Sequence, residues 1–409
     1  MSLELTFAPA LLVILVAAGL GRLLSKVSRQ PVIFGELLLG MVLGNLIILT
    51  VPAQEPVSQL AEIGILLLLF STGLGLNFEE FKRLEVASSI VAISGVILPF
   101  VLGYLAAISF GFSHLIATFV GISLVATSVG MNASILTELR MLRTRLGTLI
   151  MGAAVIDDVI GVVMMSILIS IAVTGAIPLV EVSLLVLFAV LFFLISLTVG
   201  IKLFRKLSEK ITIGRESLLL LGLVTVLAFG LITTEIGLAA IIGAFTAGLV
   251  VGQTHFARRL REHVSLIGGS FFIPIFFVTI GMRFDVNAFM SVSSFVVVLV
   301  MVAIIGKIVG CGLGAKLSKF SNRESFAVGV AMMPRAGVEL ILIKLGLDHD
   351  IIGADIASAI LVMVIITTII TPPSLWKALK IIKRRKRFNN VKRVLVGGER
   401  NGGTKKSRP

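Results

Sequence analysis

Two adjacent carboxylates, Asp157 and Asp158, stand inside the run Gly152-Ala153-Ala154-Val155-Ile156-Asp157-Asp158-Val159-Ile160-Gly161-Val162-Val163. The surrounding sequence is apolar for long enough to cross a bilayer. A charge at the centre of a membrane helix costs about 2.5–3.5 kcal/mol on insertion scales. Two like charges side by side add mutual repulsion. The chemistry open to such a pair is holding a cation, carrying a proton, or both. Neighbours on a helix point about 100° apart. One carboxylate can therefore face an aqueous pocket while the other faces a neighbouring helix. A structural ion pair is the plainer reading for one of them, but it does not cover both.

A cation is placed as deeply. Lys307 lies mid-run in Met301-Val302-Ala303-Ile304-Ile305-Gly306-Lys307-Ile308-Val309-Gly310, too far in to snorkel to either surface. A buried ammonium needs a carboxylate, and the aspartate pair is the natural supplier. The sequence fits a static bridge and equally one that opens when a proton or cation arrives.

Two other runs carry groups that interrupt helices. In Val125-Ala126-Thr127-Ser128-Val129-Gly130-Met131-Asn132-Ala133, Thr127, Ser128, Gly130 and Asn132 weaken the helix centre and supply oxygens. In Ala331-Met332-Met333-Pro334-Arg335-Ala336-Gly337-Val338-Glu339, Pro334 removes a backbone donor and clashes one turn back. Paired broken helices at corresponding places point to a transporter site. Their half-helix ends and freed carbonyls would face the cavity beside the aspartates. Arg335 and Glu339, four apart, are spaced to pair on one helix face. They would serve as gate or scaffold, or contact the ion directly.

The elements that must position these groups are membrane helices. The chain has 409 residues, 57% apolar and 14% charged, with a mean hydropathy of +1.10. Soluble chains carry about 25% charged residues, so this is a polytopic, all-α membrane protein. Apolar runs near the ~20 residues of a spanning helix number about thirteen. They lie near 6–24, 31–50, 58–76, 86–109, 113–139, 146–174, 180–203, 215–233, 236–253, 264–282, 289–316, 324–346 and 352–372. The first is preceded by Glu4 and no basic residue, which reads as a span rather than a cleaved signal peptide. Cys311 is alone, so no intrachain disulfide or paired-cysteine metal site is available.

The net charge of +14 is a topology signal and not a nucleic-acid one. Arg22, Lys26 and Arg29 follow the first run, Lys82 and Arg83 the third, and Arg140, Arg143 and Arg145 the fifth. Lys202, Arg205, Lys206, Lys210 and Arg215 follow the seventh, Arg258, Arg259 and Arg261 the ninth, and Lys316, Lys319 and Arg323 the eleventh. The alternate loops hold a single basic residue, Arg283. Positive loops stay inside. The expectation is a multi-pass cell-membrane protein with its N-terminus outside and its C-terminus in the cytoplasm.

An internal echo divides the chain. Gly35, Gly40 and Gly44 match Gly243, Gly248 and Gly252 at one offset, and Gly75 and Phe78 match Gly281 and Phe284 at nearly the same offset. The halves are read as six-helix repeats, about 6–174 and 215–372, joined by a connector helix at 180–203. Seven helices separate equivalent spans, so the second copy enters the membrane upside down. Residues 1–376 then form the transmembrane domain and 377–409 a short basic tail, a solvated topology anchor that touches anionic lipid.

Taken together, Ala153 through Asp158 with its double aspartate, Thr127-Ser128, Phe272 through Met282, Lys307 and Pro334-Arg335 resemble the monovalent cation:proton antiporter superfamily. The nearer branch is that of the sodium/proton antiporters and potassium-efflux-like proteins. The resemblance runs to about Pro373. It implies Asp158 as the carboxylate that binds Na+ and the proton, Asp157 paired with Lys307, and Thr127 lining the site. Ser128, Asn132, Arg335 and Glu339 are secondary candidates. It also implies a homodimer in which a core domain moves like an elevator against a dimerisation domain, with no cofactor beyond the transported Na+ and H+. Na+, Li+ or K+ would exchange for protons, electrogenically, two protons for each Na+. In place of the acidic residue that often follows Arg-Gly in this family, the chain reads Arg335-Ala336-Gly337-Val338-Glu339. It also shows no nucleotide-binding domain.

Two rivals fit parts of the pattern. A passive cation channel or ion-responsive receptor also uses broken helices and an acidic site. An intramembrane aspartyl protease also needs two buried carboxylates, but they must face each other across the attacked carbonyl. Neighbours on one helix are badly placed for that. The reading is therefore a transporter and not an enzyme.

Overall fold

The computed structural model describes residues 3–49, 51–174, 179–210, 214–282, 294–335, 342–343, 346–347 and 349–401. Strands β1 (Leu3–Leu5) and β2 (Ile47–Leu49) form a short parallel pair, and the remaining regular structure is helical. The chain opens with α1 (Phe7–Ser28), α2 (Val32–Leu46), α3 (Val51–Gly75), the short α4 (Phe78–Arg83) and α5 (Glu85–Ser109). The fifth apolar run is two pieces, α6 (His114–Ser123) and α7 (Val129–Glu138), and α8 (Arg145–Thr174) carries the aspartates. Next come α9 (Leu179–Ile195), α10 (Ile201–Lys210), α11 (Arg215–Glu235), α12 (Ala240–Val251), α13 (Ala257–Ile267) and α14 (Ile273–Met282). The last described helices are α15 (Ser294–Leu317), α16 (Asn322–Ala331) and α17 (Ala354–Asn401). Single π-helical turns at Ser196–Gly200 and Gly268–Phe272 join α9 to α10 and α13 to α14 into continuous rods.

Among the described residues, nine helices are long and apolar enough to span a membrane, and three shorter apolar ones accompany them. The exposed side chains agree with lipid as the surroundings. On α9, Leu184, Leu187, Leu191 and Leu194 all face outward.

The helices gather into two groups. In the first, α1 packs on α2, α2 on α14, α14 on α3, α3 on α12 and α12 on α11. In the second, α15 packs on α5 and α16, α5 on α6 and α8, and α17 on α15 and α16. The groups meet where α3 touches α7 and where α17 touches α2.

Backbones in the first group touch through glycine. A Cβ on Gly40 would sit 2.2 Å from the Val278 carbonyl oxygen and 2.9 Å from the Gly281 Cα. A Cβ on Gly248 would sit 2.3 Å from the Phe70 oxygen and 2.9 Å from the Gly73 Cα. Small residues let membrane helices approach this closely, and dispersion between them is then what holds them. The two crossings are related by a shift of 208 residues, 248 less 40 and 281 less 73. Gly35 against Gly21 and Gly243 against Phe229 repeat that shift. By contact, then, Gly73 rather than Gly75 answers to Gly281. Gly248→Ala is expected to lower the thermal unfolding midpoint in detergent, because overpacking a close contact costs about 1–3 kcal/mol. Gly19→Ala, where nothing lies within 4 Å, should leave it unchanged. Equal midpoints for the two variants would refute the contact argument.

The helix that begins at Ala354 does not stop at Pro372-Pro373 but runs on to Asn401. Thr367 and Thr371 bond back to the carbonyls of Met363 and Thr367, at 2.9 and 2.6 Å, just ahead of the prolines. Hydroxyls of this kind are how membrane helices tolerate proline. Residue 376 therefore marks a change in composition, with no break in the backbone. Beyond it, Lys383 donates to the Leu139 carbonyl at 2.7 Å, so the start of the basic stretch is docked at the end of α7.

Candidate functional site

The site is built where the break between α6 and α7 meets the end of α16. Helix α6 ends at Ser123, and α7 restarts at Val129 with Ser128 as its N-cap, its hydroxyl accepting from the Met131 N–H. Helix α16 ends at Ala331, and residues 332–335 are not helical. Lacking intrahelical partners, the freed groups of each interruption bond to the other. The Ser128 N–H donates to the Pro334 carbonyl at 2.7 Å. The single proton of the Thr127 hydroxyl is shared between the Met332 carbonyl, at 3.1 Å, and Asp157 Oδ2, at 2.6 Å. The Arg335 guanidinium donates to the Leu124 carbonyl at 2.6 Å and to the Met333 carbonyl at 3.0 Å.

The Thr127–Met332 and Arg335–Leu124 contacts also share the 208-residue relation, since 335 less 127 equals 332 less 124. A hydroxyl in one half stands where a guanidinium stands in the other. Arg335 is fully buried and lies at the C-terminal end of α6, where carbonyls carry partial negative charge. In hydrocarbon an unsatisfied carbonyl costs several kcal/mol, so the guanidinium stabilises the break. Thr368 donates its hydroxyl to the Arg335 carbonyl and ties the crossing to α17. Arg335→Lys keeps the charge but not the two-pronged donation. It is expected to lower stability by about 1–2 kcal/mol, read as an earlier thermal unfolding midpoint; an unchanged midpoint would count against this account.

Against the crossing lies the charged triad. Lys307 Nζ is 2.6 Å from Asp157 Oδ2, and both side chains are 0% exposed. The same oxygen accepts from the Thr127 hydroxyl at 2.6 Å. Helix α15 thus supplies the ammonium, α8 the carboxylate and the α6–α7 break the hydroxyl. Both donors converge on that one oxygen, and α7 presents its positive N-terminal end immediately after Thr127. Asp158, on the adjacent face of α8, is 1% exposed. Neither aspartate opens to solvent in this conformation, so the expected aqueous face is closed here. The reason is the packing of α7, α16 and α5 around α8.

The structure brings together Asp157, the adjacent Thr127 and Ser128, Lys307 and Arg335, from four separate parts of the sequence. Asn132 is buried one turn into α7. Arg335 lies in the non-helical residues 332–335, and Glu339, its expected partner four residues on, lies outside the described residues. The sequence did not point to the Leu124 and Met332 carbonyls or to Thr368. The hydroxyl-rich stretch Thr367-Thr368-Ile369-Ile370-Thr371 was the available signal for the last. Glu36 is elsewhere, 1% exposed on α2 and paired to Arg22 at 3.0 Å.

A broken membrane helix meeting the end of another around an enclosed lysine–carboxylate pair is the architecture of a secondary transporter. The sequence matches the family described as sodium/hydrogen exchanger, transmembrane, over residues 11–380. It is 33% identical over 375 residues to the Na(+)/H(+)-K(+) antiporter GerN of Bacillus cereus, covering 91% of this chain and 96% of that protein. It is 32% identical over 369 residues to a Na(+)/H(+) antiporter of Enterococcus hirae, covering 90% and 96%. The sodium proton antiporter MjNhaP1 from Methanocaldococcus jannaschii shares its fold, with a TM-score of 0.65 at 17% identity over 91% of this chain and 96% of that one. The chain therefore belongs to the sodium/hydrogen exchanger family, within the monovalent cation:proton antiporter superfamily.

Proposed function

We propose that this protein exchanges Na+ for H+ across the cell membrane at Asp158, by alternating access. The observation that carries the reading is a second carboxylate, Asp158, enclosed beside one already engaged by Lys307 and Thr127. The similarity to the Na(+)/H(+)-K(+) antiporter GerN of Bacillus cereus and the Na(+)/H(+) antiporter of Enterococcus hirae supports the same exchange.

Competition for one carboxylate links the two ions. When the proton leaves Asp158, Na+ takes its place, with oxygens from the carboxylate, from Thr127 and from the backbone freed at the crossing. When a proton returns, the cation leaves. An ionised, empty site is a net charge in hydrocarbon and crosses poorly, so each direction of travel needs a passenger. Asp157 and Lys307 form a coupled pair. If the cation draws Asp157 away from Lys307, the ammonium gives up a proton, and two protons move against one Na+. Exchange is then electrogenic.

In this reading the second helix group, with α5 to α8 and α15 to α17, is the core that carries the site. The first group is the scaffold against which it moves, and a second copy of the chain packs on that scaffold. The contacts related by 208 residues support a repeat origin for the two halves; in the same reading the second repeat is inverted, the spans number thirteen, and the alternation of basic and neutral loops places the basic ones in the cytoplasm.

Purified protein in proteoliposomes, with a trapped pH dye and an imposed proton gradient, tests the proposal. Addition of Na+ should collapse the gradient, and Na+ should accumulate against its own gradient. Li+ and K+ titrated in parallel set the selectivity. Passive equilibration of cation without proton movement would replace the exchanger by a channel. A reversal potential matching one proton for each Na+ would remove the electrogenic part alone.

A further inference from the structure

One polar side chain at the crossing is handled unlike the others. In the apolar helices of this protein many hydroxyls and amides return to the backbone four residues earlier, although Thr148, Thr279 and Ser325 do not. Asn45 donates to the Met41 carbonyl at 2.8 Å, Thr72 to Leu68 at 2.7 Å, Thr225 to Leu221 at 2.7 Å and Thr246 to Ile242 at 2.8 Å. Asn132 does not. It is 0% exposed, and neither Oδ1 nor Nδ2 has a hydrogen-bond partner among the described residues. Buried polar groups are otherwise almost always satisfied, and an exception calls for a reason. Asparagine is also a poor helix former, so local structure offers none.

Its position supplies one. Asn132 stands one turn from Ser128, the N-cap of α7, and only about 40° further round the helix. Gly130, two residues earlier and so about 200° away, is the residue that meets α3. A Cβ there would lie 2.3 Å from Ile65 Cδ1. Asn132 is therefore turned away from α3, on the Ser128 side, and α7 also packs on α8, which carries the aspartates. An amide with an uncommitted oxygen, at the helix end that adjoins the Thr127 break, has the chemistry of a ligand for a dehydrated monovalent cation.

We propose that Asn132 is a further cation ligand, whose side-chain oxygen helps complete the shell of the ion held at Asp158 and sets the choice among Na+, Li+ and K+. This rests on the reading of Asp158 given above.

The test compares Asn132→Ala and Asn132→Ser with the unaltered protein in proteoliposomes, using Na+, Li+ and K+ salts. It reads KM and maximal rate separately, and thermal unfolding with and without Na+. Asn132→Ala should raise the KM for Na+ about tenfold, with the maximal rate kept within about twofold. Its unfolding midpoint without Na+ should be no lower than that of the unaltered protein, because the substitution removes two unsatisfied groups. The stabilisation by added Na+ should shrink, and the ratio of Na+ to K+ affinity should change. Asn132→Ser, which retains an oxygen, should fall between. Unaltered KM values for all three cations in Asn132→Ala overturn the proposal. So does a loss of folded protein in both variants, since a ligand is not a packing element. An Asp158→Asn control separates the two ideas. If that control is silent while Asn132→Ala is unaltered, only the role of Asn132 fails. If the control still exchanges, the reading of Asp158 fails first.

Discussion

Asp158→Asn is expected to reduce exchange of Na+ for protons to the background of empty liposomes. The carboxamide has nearly the shape of the carboxylic acid, so packing around α8 should survive. It has no charge to give the cation and no proton to release between about pH 5 and 9. Both half-cycles fail for the same reason. The side chain is 1% exposed, so bulk water does not reach it to stand in for the lost ligand in this conformation. The measurement is dye-reported proton flux on addition of Na+ at several pH values, with circular dichroism to show that the variant is folded. Exchange at the unaltered rate would place the carrier elsewhere. Flux that survives for K+ but not Na+ would show a carbonyl-lined site with Asp158 as a selectivity element only.

Lys307→Ala carries the largest expected effect on stability. Lys307 and Asp157 are both fully enclosed, their charged atoms 2.6 Å apart. Removing one partner of a buried pair strands the other, at about 3–5 kcal/mol. Thr127 still donates to Asp157 Oδ2, but a hydroxyl does not replace a charge. The double variant Lys307→Ala, Asp157→Ala removes both charges, and most of the lost stability should return. A thermal unfolding series of the single and double variants reads this coupling directly. Additive losses in the double variant would mean that the two residues are not a pair in the working protein. The same double variant bears on the charge carried per cycle. With the lysine proton gone, the reversal potential should move to one proton for each Na+.

Sequence alone reached much of this. Lys307 and Asp157 are rare intramembrane charges of opposite sign, and burial at such cost admits few partners, so their pairing was legible 150 residues apart. Pro334 announced one break because proline cannot donate. The cluster Thr127, Ser128, Gly130 and Asn132 announced the other. The glycine register was legible too, although contact pairs Gly73, and not Gly75, with Gly281. A register read from letters slips easily by two residues when flanks are uniformly apolar.

What the sequence determined by itself were the things fixed by local chemistry: which segments enter hydrocarbon, where helices break, and which charges must be neutralised. Only the tertiary structure decided what the broken ends bond to. Thr127 takes the Met332 carbonyl and Arg335 takes that of Leu124. The continuation of α17 past Pro372 and the docking of Lys383 on α7 are likewise three-dimensional facts. A freed carbonyl is the same group on every residue, so no letter in the sequence marks it. It acquires an identity when a second chain segment crosses within hydrogen-bonding distance.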